Sequence, residues 1–333
     1  MDATAPLELD PSDAPAPDRS AEPAGFLVEA TAAVRIHFLD WGGPDDAAAG
    51  RDDPAAGRDD PAAARDDPAV LLIHGLGATA WAWIAVARRL RRRRRVVAID
   101  LRGHGLSDAP TEGYAPGDLV EDVRAVADGA ALDRVVLAGH GAGAEVAAWT
   151  AATLGERCRG LVLVDGGWQD VAATTGLEPW ELLRTLDEPP EVLRSMTAFL
   201  ADRRAFDPAT WDADQERAAR ASVIELPAGR VEPATHDHVR RAFVEVRYAF
   251  GPVAVLAGVD APITVLSAAD DAGGEHDRSL LATAEAVARA GHPPLRVARF
   301  PADGHNLLRY RPAEVAAAIL TVDGPVARTE SPV

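Results

Sequence analysis

The side chains best suited to proton transfer cluster where short apolar runs end. Val70–Ile73 leads into His74-Gly75-Leu76-Gly77. Val96–Ile99 leads into Asp100-Leu101-Arg102-Gly103-His104-Gly105-Leu106-Ser107-Asp108. Val135–Ala138 runs into Gly139-His140-Gly141-Ala142-Gly143, and Phe300-Pro301-Ala302-Asp303-Gly304-His305-Asn306 follows the final run. Imidazole and carboxylate groups are the usual general acids and bases, so acid–base chemistry is the first expectation. Cys158 is the only cysteine, which excludes an intramolecular disulfide and a thiolate metal cluster. His236, His238, His276 and His292 have no spacing that suggests a metal, and no metal or cofactor is expected.

The elements that must position these groups are strands alternating with helices. Strand-like runs cover Phe26–Thr31, Val34–Trp41, Val70–His74, Val96–Asp100, Arg134–Ala138, Leu161–Asp165, Ile263–Ser267 and Leu295–Phe300. The later runs are continuously apolar, as parallel strands buried on both faces require. Leu119, Val120, Val123, Val126, Ala127 and Ala130 make one helical face, and Glu145–Leu154 and Leu280–Ala290 behave alike. The rhythm predicts an α/β fold with a mostly parallel, doubly wound sheet. Residues 168–256 interrupt it with helical sequence. They carry eight of the 17 aromatics, which suggests a helical lid whose inner face lines an apolar pocket.

In this order, the four glycine- and histidine-bearing segments resemble the alpha/beta-hydrolase superfamily, the branch with a helical lid, over roughly residues 26–320. That family's strand-to-helix turn reads Gly-x-nucleophile-x-Gly, small flanking residues permitting a strained turn that lifts the nucleophile above the sheet. Gly139 and Gly143 match, but the nucleophile's position is Gly141. No acyl- or alkyl-enzyme forms on a residue without a side chain. The resemblance places the general base at His305 and the orienting acid at Asp271. Ala268 replaces the glycine usual before that acid, which leaves Asp270 open, and Asp165 after the preceding strand is the third candidate. The backbone N–H groups of Leu76 and Ala142 are implied as an oxyanion hole. Trp81 and Trp168 are expected at the substrate pocket, while His74 and His104 are expected to hold loops.

Two functions remain open. One is an enzyme in which a His305–Asp271 dyad activates water, or removes a substrate proton, on a small apolar ester, lactone or similar carbonyl compound. The alternative is a non-catalytic pseudo-hydrolase that binds a small apolar ligand or a protein partner.

The chain has 333 residues and a formal charge of -18, from 34 Lys and Arg against 52 Asp and Glu. Ten of these charges fall in residues 1–24 and in the Arg-Asp-Asp-Pro repeat of residues 43–69. A surface of this sign repels phosphates, which excludes a nucleic-acid binder working by charge neutralisation. Both acidic segments lack the large apolar groups needed to offset ordering entropy, so a disordered tail at 1–24, a disordered loop at 43–69 and a flexible tail at 326–333 are expected. The hydrolase-like core is then 25–167 and 257–325, with the lid at 168–256. The arginines among residues 88–95 read as a solvated helix end. Without a secretory signal or an 18-residue apolar run, the expected setting is the cytoplasm, with no membrane span and a monomer or homodimer.

Overall fold

The computed structural model describes residues 3–31, 34–44, 67–269 and 273–323. Most of the acidic repeat, residues 45–66, and the expected tail at 326–333 lie outside the described residues. The strands are β1 (Thr4–Pro6), β2 (Ala24–Glu29), β3 (Arg35–Asp40), β4 (Ala69–Ile73), β5 (Val96–Ile99), β6 (Val135–His140) and β7 (Cys158–Val164), then β8 (Val223–Glu225), β9 (Val231–Pro233), β10 (Ile263–Ser267) and β11 (Leu295–Arg299). Nine of them form one sheet in the order β1-β11-β10-β7-β6-β4-β5-β3-β2, and β8 and β9 make a separate hairpin. β3 is antiparallel to β2 and β5, and the remaining pairings in the sheet are parallel.

The period of two along each strand builds a core on either face. Leu71, Ile73, Leu137, Leu161 and Leu163 join one cluster. Their neighbours Val70, Leu72, Val136, Val162 and Val164 join the other. The first face is covered by helices α2 (Pro116–Gly129), α3 (Ala142–Leu154) and α10 (Glu275–Arg289); the second by α1 (Ile84–Leu90) and α12 (Pro312–Thr321). Each fully buried Val, Leu or Ile contributes roughly 1.5–3 kcal/mol. Among the described residues no helix is long and apolar enough to cross a membrane.

Between β7 and β10 the chain inserts α4 (Val171–Thr175), α5 (Pro179–Thr185), α6 (Met196–Ala205), α7 (Ala213–Ala221), the β8–β9 hairpin, α8 (Asp237–Tyr248) and α9 (Pro252–Leu256). Val239 and Phe243 of α8 enter the core beneath. Asp214 of α7 pairs with Arg88 at 2.5 Å, both side chains being under a tenth exposed.

The N-terminal segment corrects the expectation of a disordered tail. β1 extends the sheet alongside β11, and Leu7 N–H donates to Val297 O at 2.8 Å. Asp18 pairs with buried Arg91 and Glu22 with Arg88, while Arg89 donates to Pro15 O at 3.0 Å. The arginine-rich turn is likewise not a solvated helix end: Arg88, Arg91 and Arg94 are buried, and Arg94 pairs with Asp323 at 2.8 Å. Acidic tail and basic turn each look solvated alone. Ion pairing makes both part of the fold.

Removing one partner of a buried pair leaves an uncompensated charge and costs about 3–5 kcal/mol. Asp18→Ala is therefore expected to destabilise the protein by about 3 kcal/mol in urea unfolding. A change within about 0.5 kcal/mol would show that the segment is not docked.

Candidate active site

The turn between β6 and α3 is built by backbone lying against backbone. A Cβ on Gly139 would fall 2.3 Å from Gly143 O, and one on Gly143 would fall 2.3 Å from His74 O. A Cβ on Gly166, just after β7, would fall 2.4 Å from Gly141 O. Only glycine fits at these three places. Gly141 sits between them at φ 54°, ψ −123°, a conformation that side chains adopt under strain. The elbow geometry is thus kept while its side chain is absent.

His305 lies in the loop after β11, its side chain 63% exposed. Its Nδ1–H donates to Asp165 Oδ2 at 2.6 Å. Its Nε2 lies 3.2 Å from where a Cβ on Gly141 would stand, with Gly75 Cα 3.9 Å from the same point. Asp165 closes β7 at φ 45°, and its Oδ1 accepts Ala268 N–H at 2.8 Å. Burial opposes ionisation of Asp165, but the hydrogen bond and charge of His305, with the Ala268 amide, outweigh it and lower its pKa. Asp270 and Asp271 lie outside the described residues. The ring nitrogen that an orienting acid must hold is occupied by Asp165.

His140 does not point away from the site, as a residue flanking an elbow would be expected to. Its ring lies 4.6 Å from that of His305, and its Nε2–H donates to His305 O at 3.0 Å. Burial, with His305 nearby, lowers its pKa to about 3, so it is a neutral donor. His74 and His104 hold the loop carrying Leu76. His74 Nδ1–H donates to Gly75 O at 2.8 Å, and its Nε2 accepts Leu101 N–H at 3.0 Å. His104 Nε2 accepts Gly77 N–H at 3.2 Å. Burial lowers both pKa values, that of His104 to about 3. Asp100 fastens the same loop by accepting Ala80 N–H at 2.7 Å.

Leu76 follows β4 and Ala142 opens α3. Among the described residues neither backbone N–H has an acceptor. Leu76 and Asn306 border a cavity of about 540 Å³, walled in part by Phe199, Phe206 and Trp211 of the insertion. The two tryptophans expected there are elsewhere. Trp168 is wholly buried in the sheet core. Trp81 packs edge-on to Trp41 at 5.8 Å and under the Arg217 guanidinium at 3.7 Å. Aromatic content marked the insertion but not which rings face the cavity. A larger hollow, about 1080 Å³, lies around Asp40, Trp41, Arg95 and Arg134 at the opposite strand ends and takes no part in this site. Among the described residues no three His, Cys, Asp or Glu side chains gather as a metal cage.

Three groups beside the site carry no signal in the sequence: the His140 contact, Arg309, and Glu145. Glu145, in the first turn of α3, is 2% exposed and pairs with Arg247 of α8 at 2.9 Å. Burial raises its pKa to about 7 against Arg247's opposing charge.

A profile of the alpha/beta hydrolase family matches residues 70–318, and the chain belongs to that family. It is 30% identical over 141 residues to 2-(acetamidomethylene)succinate hydrolase of Mesorhizobium japonicum, covering 42% of this chain and 50% of that one. It is 35% identical over 139 residues to 2-hydroxy-6-oxo-2,4-heptadienoate hydrolase of Pseudomonas putida, covering 40% and 49%. The chain thus spans about half the length of the curated relatives it matches. The crystal structure of E-2-(acetamidomethylene)succinate hydrolase superposes with a TM-score of 0.64 at 20% identity, over 90% of this chain and 99% of that one. The enol-lactonase from Burkholderia xenovorans gives 0.57 at 18% identity, over 89% and 98%. At these identities the structural likeness establishes the fold alone.

Glu145 makes stability depend on pH. Its folded pKa lies near 7 and its ordinary value is 4.5, so the folded chain holds this proton more tightly. The resulting stabilisation is full below about pH 4.5 and is lost as pH rises through 7. Relative to Glu145→Gln, the wild type should lose unfolding free energy across that window and level off above it. A difference independent of pH would contradict this.

Proposed function

We propose that this protein hydrolyses a small carbonyl compound, such as an ester or lactone, without a covalent enzyme intermediate. The observation that carries the reading is the aim of His305: Asp165 holds its Nδ1, and its Nε2 faces Gly141, where the elbow has no side chain. A water, which takes up about 30 Å³, occupies that position in the Michaelis complex. His305 Nε2 removes one of its protons as the oxygen attacks the carbonyl carbon. Asp165 stabilises the imidazolium that forms. The tetrahedral oxyanion is received by the N–H groups of Leu76 and Ala142, at the positive end of α3. On collapse the carbon–leaving-group bond breaks and His305 returns the proton to the departing oxygen.

His140 acts as a positioning residue for His305, and the insertion serves as the lid that lines the substrate's cavity. The dyad is His305 with Asp165, the role first assigned to Asp271. The names of the relatives, hydrolases acting on small carbonyl compounds, support the reaction class. In this reading the protein works in the cytoplasm, as a monomer or homodimer, with no cofactor.

Three proteins test this: wild type, His305→Ala and Gly141→Ser, each given a fluorophosphonate probe and a panel of short-chain esters. The wild type should turn over an ester yet remain unlabelled. His305→Ala should lose about 10²–10⁴-fold in kcat/KM, the usual worth of general-base catalysis. Gly141→Ser should take up the probe, at a stability cost of about 1–3 kcal/mol for a side chain at this backbone conformation. Stoichiometric labelling of the wild type, or full activity in His305→Ala, would sink the proposal. Ligand binding without turnover on the whole panel would favour the pseudo-hydrolase.

A further inference from the structure

The cavity beside the site carries a charge that water attack on a carbonyl does not use. Arg309 lies in α11 (Leu307–Tyr310), the short helix following His305. It is 8% exposed and lines the cavity. Its Nε–H donates to Thr210 Oγ1 at 2.8 Å, one Nη1 N–H to Arg203 O at 2.9 Å, and one Nη2 N–H to Asp207 O. Every one of these acceptors is neutral. Trp211 and Tyr310 add ring faces at 5.4 and 5.6 Å, which are also uncharged.

The other two arginines on this wall already hold carboxylates of their own. Arg203 pairs with Glu188 and Asp202, and Arg240 with Asp187 and Asp237. Among the described residues no carboxylate lies within ion-pair distance of Arg309. A buried guanidinium whose direct contacts are all neutral is best completed by an anion at the N–H groups it leaves free. A guanidinium has five N–H groups. Three are spent on Thr210, Arg203 and Asp207, which leaves one on each terminal nitrogen, a number that suits one carboxylate.

We propose that the substrate carries a carboxylate that binds against Arg309, with its apolar body along Phe199, Phe206 and Trp211 and its reacting carbonyl toward Leu76. The orientation of the carbonyl rests on the hydrolytic reading above; the anion site does not. The ligand expected from the sequence, a small apolar molecule, is thereby narrowed to an acid with an apolar body.

The test is binding, so it needs no turnover. Succinate and its neutral dimethyl ester are titrated into wild type at low ionic strength, with tryptophan fluorescence and thermal shift as readouts. Succinate should bind at least tenfold more tightly than the diester. That preference should shrink with added salt, persist in His305→Ala, and fall at least tenfold in Arg309→Gln, with partial recovery in Arg309→Lys. Equal or stronger binding of the diester to wild type overturns the proposal without recourse to any variant. So does undiminished succinate binding by an Arg309→Gln protein whose circular dichroism matches wild type. Succinate binding by a wild type inactive on every ester would leave this site standing while the hydrolytic reading fell.

Discussion

The site depends on a close approach of three backbone segments. The β6–α3 turn, the loop after β4 and the loop after β7 come so near one another that Cβ atoms on Gly139, Gly143 or Gly166 would overlap backbone by more than half an ångström. Buried backbone cannot yield to such an overlap as a flexible side chain can. The approach sets Gly75 beside Gly141 and brings Asp165 to His305. The nine-stranded sheet provides the frame, because its parallel centre is buried on both faces and its strand ends are fixed in register, Ile73 with Gly139 and His140 with Val164.

Within that frame Gly141 has two effects. It leaves the turn without a side chain, and it relieves the strain that any side chain at φ 54° would carry. The histidine and acid are retained in a geometry suited to moving a proton, with Nδ1 committed to Asp165 and Nε2 directed at the turn. His140 supports His305 from one side, and its burial keeps it neutral and therefore a fixed donor. The insertion is tied to the core by charged groups at separate points: Asp214 to Arg88, Arg247 to Glu145, and Arg309 to the carbonyls of Arg203 and Asp207.

Much of this was legible from residue patterns. Largely apolar runs marked β4–β7 and β10, because a strand covered on both faces tolerates little polar alternation, whereas β11 carries Arg296 and Arg299. The glycines of the elbow were readable because local backbone geometry imposes their spacing, and the resemblance to the family pointed to the histidine after the last strand. Long-range charge pairing was not. Asp18 and Arg91 are 73 residues apart, and each segment taken alone has the composition of solvated chain. The acid was ambiguous for a similar reason: Asp165 and Asp271 both follow strands, and only the packing of Gly166 on Gly141 brings the first under His305. The aromatics of the insertion were countable, but ring direction depends on tertiary contacts, so Trp168 fell in the core and Trp211 at the cavity.

The proposed hydrolysis leaves nothing bonded to the elbow at any stage. Its most direct test is intact-mass spectrometry of wild-type protein quenched in acid during steady turnover of a p-nitrophenyl ester. The account predicts the unmodified chain mass at every time point while p-nitrophenol accumulates. An acyl adduct that forms within the first turnover and decays as substrate is exhausted would contradict it.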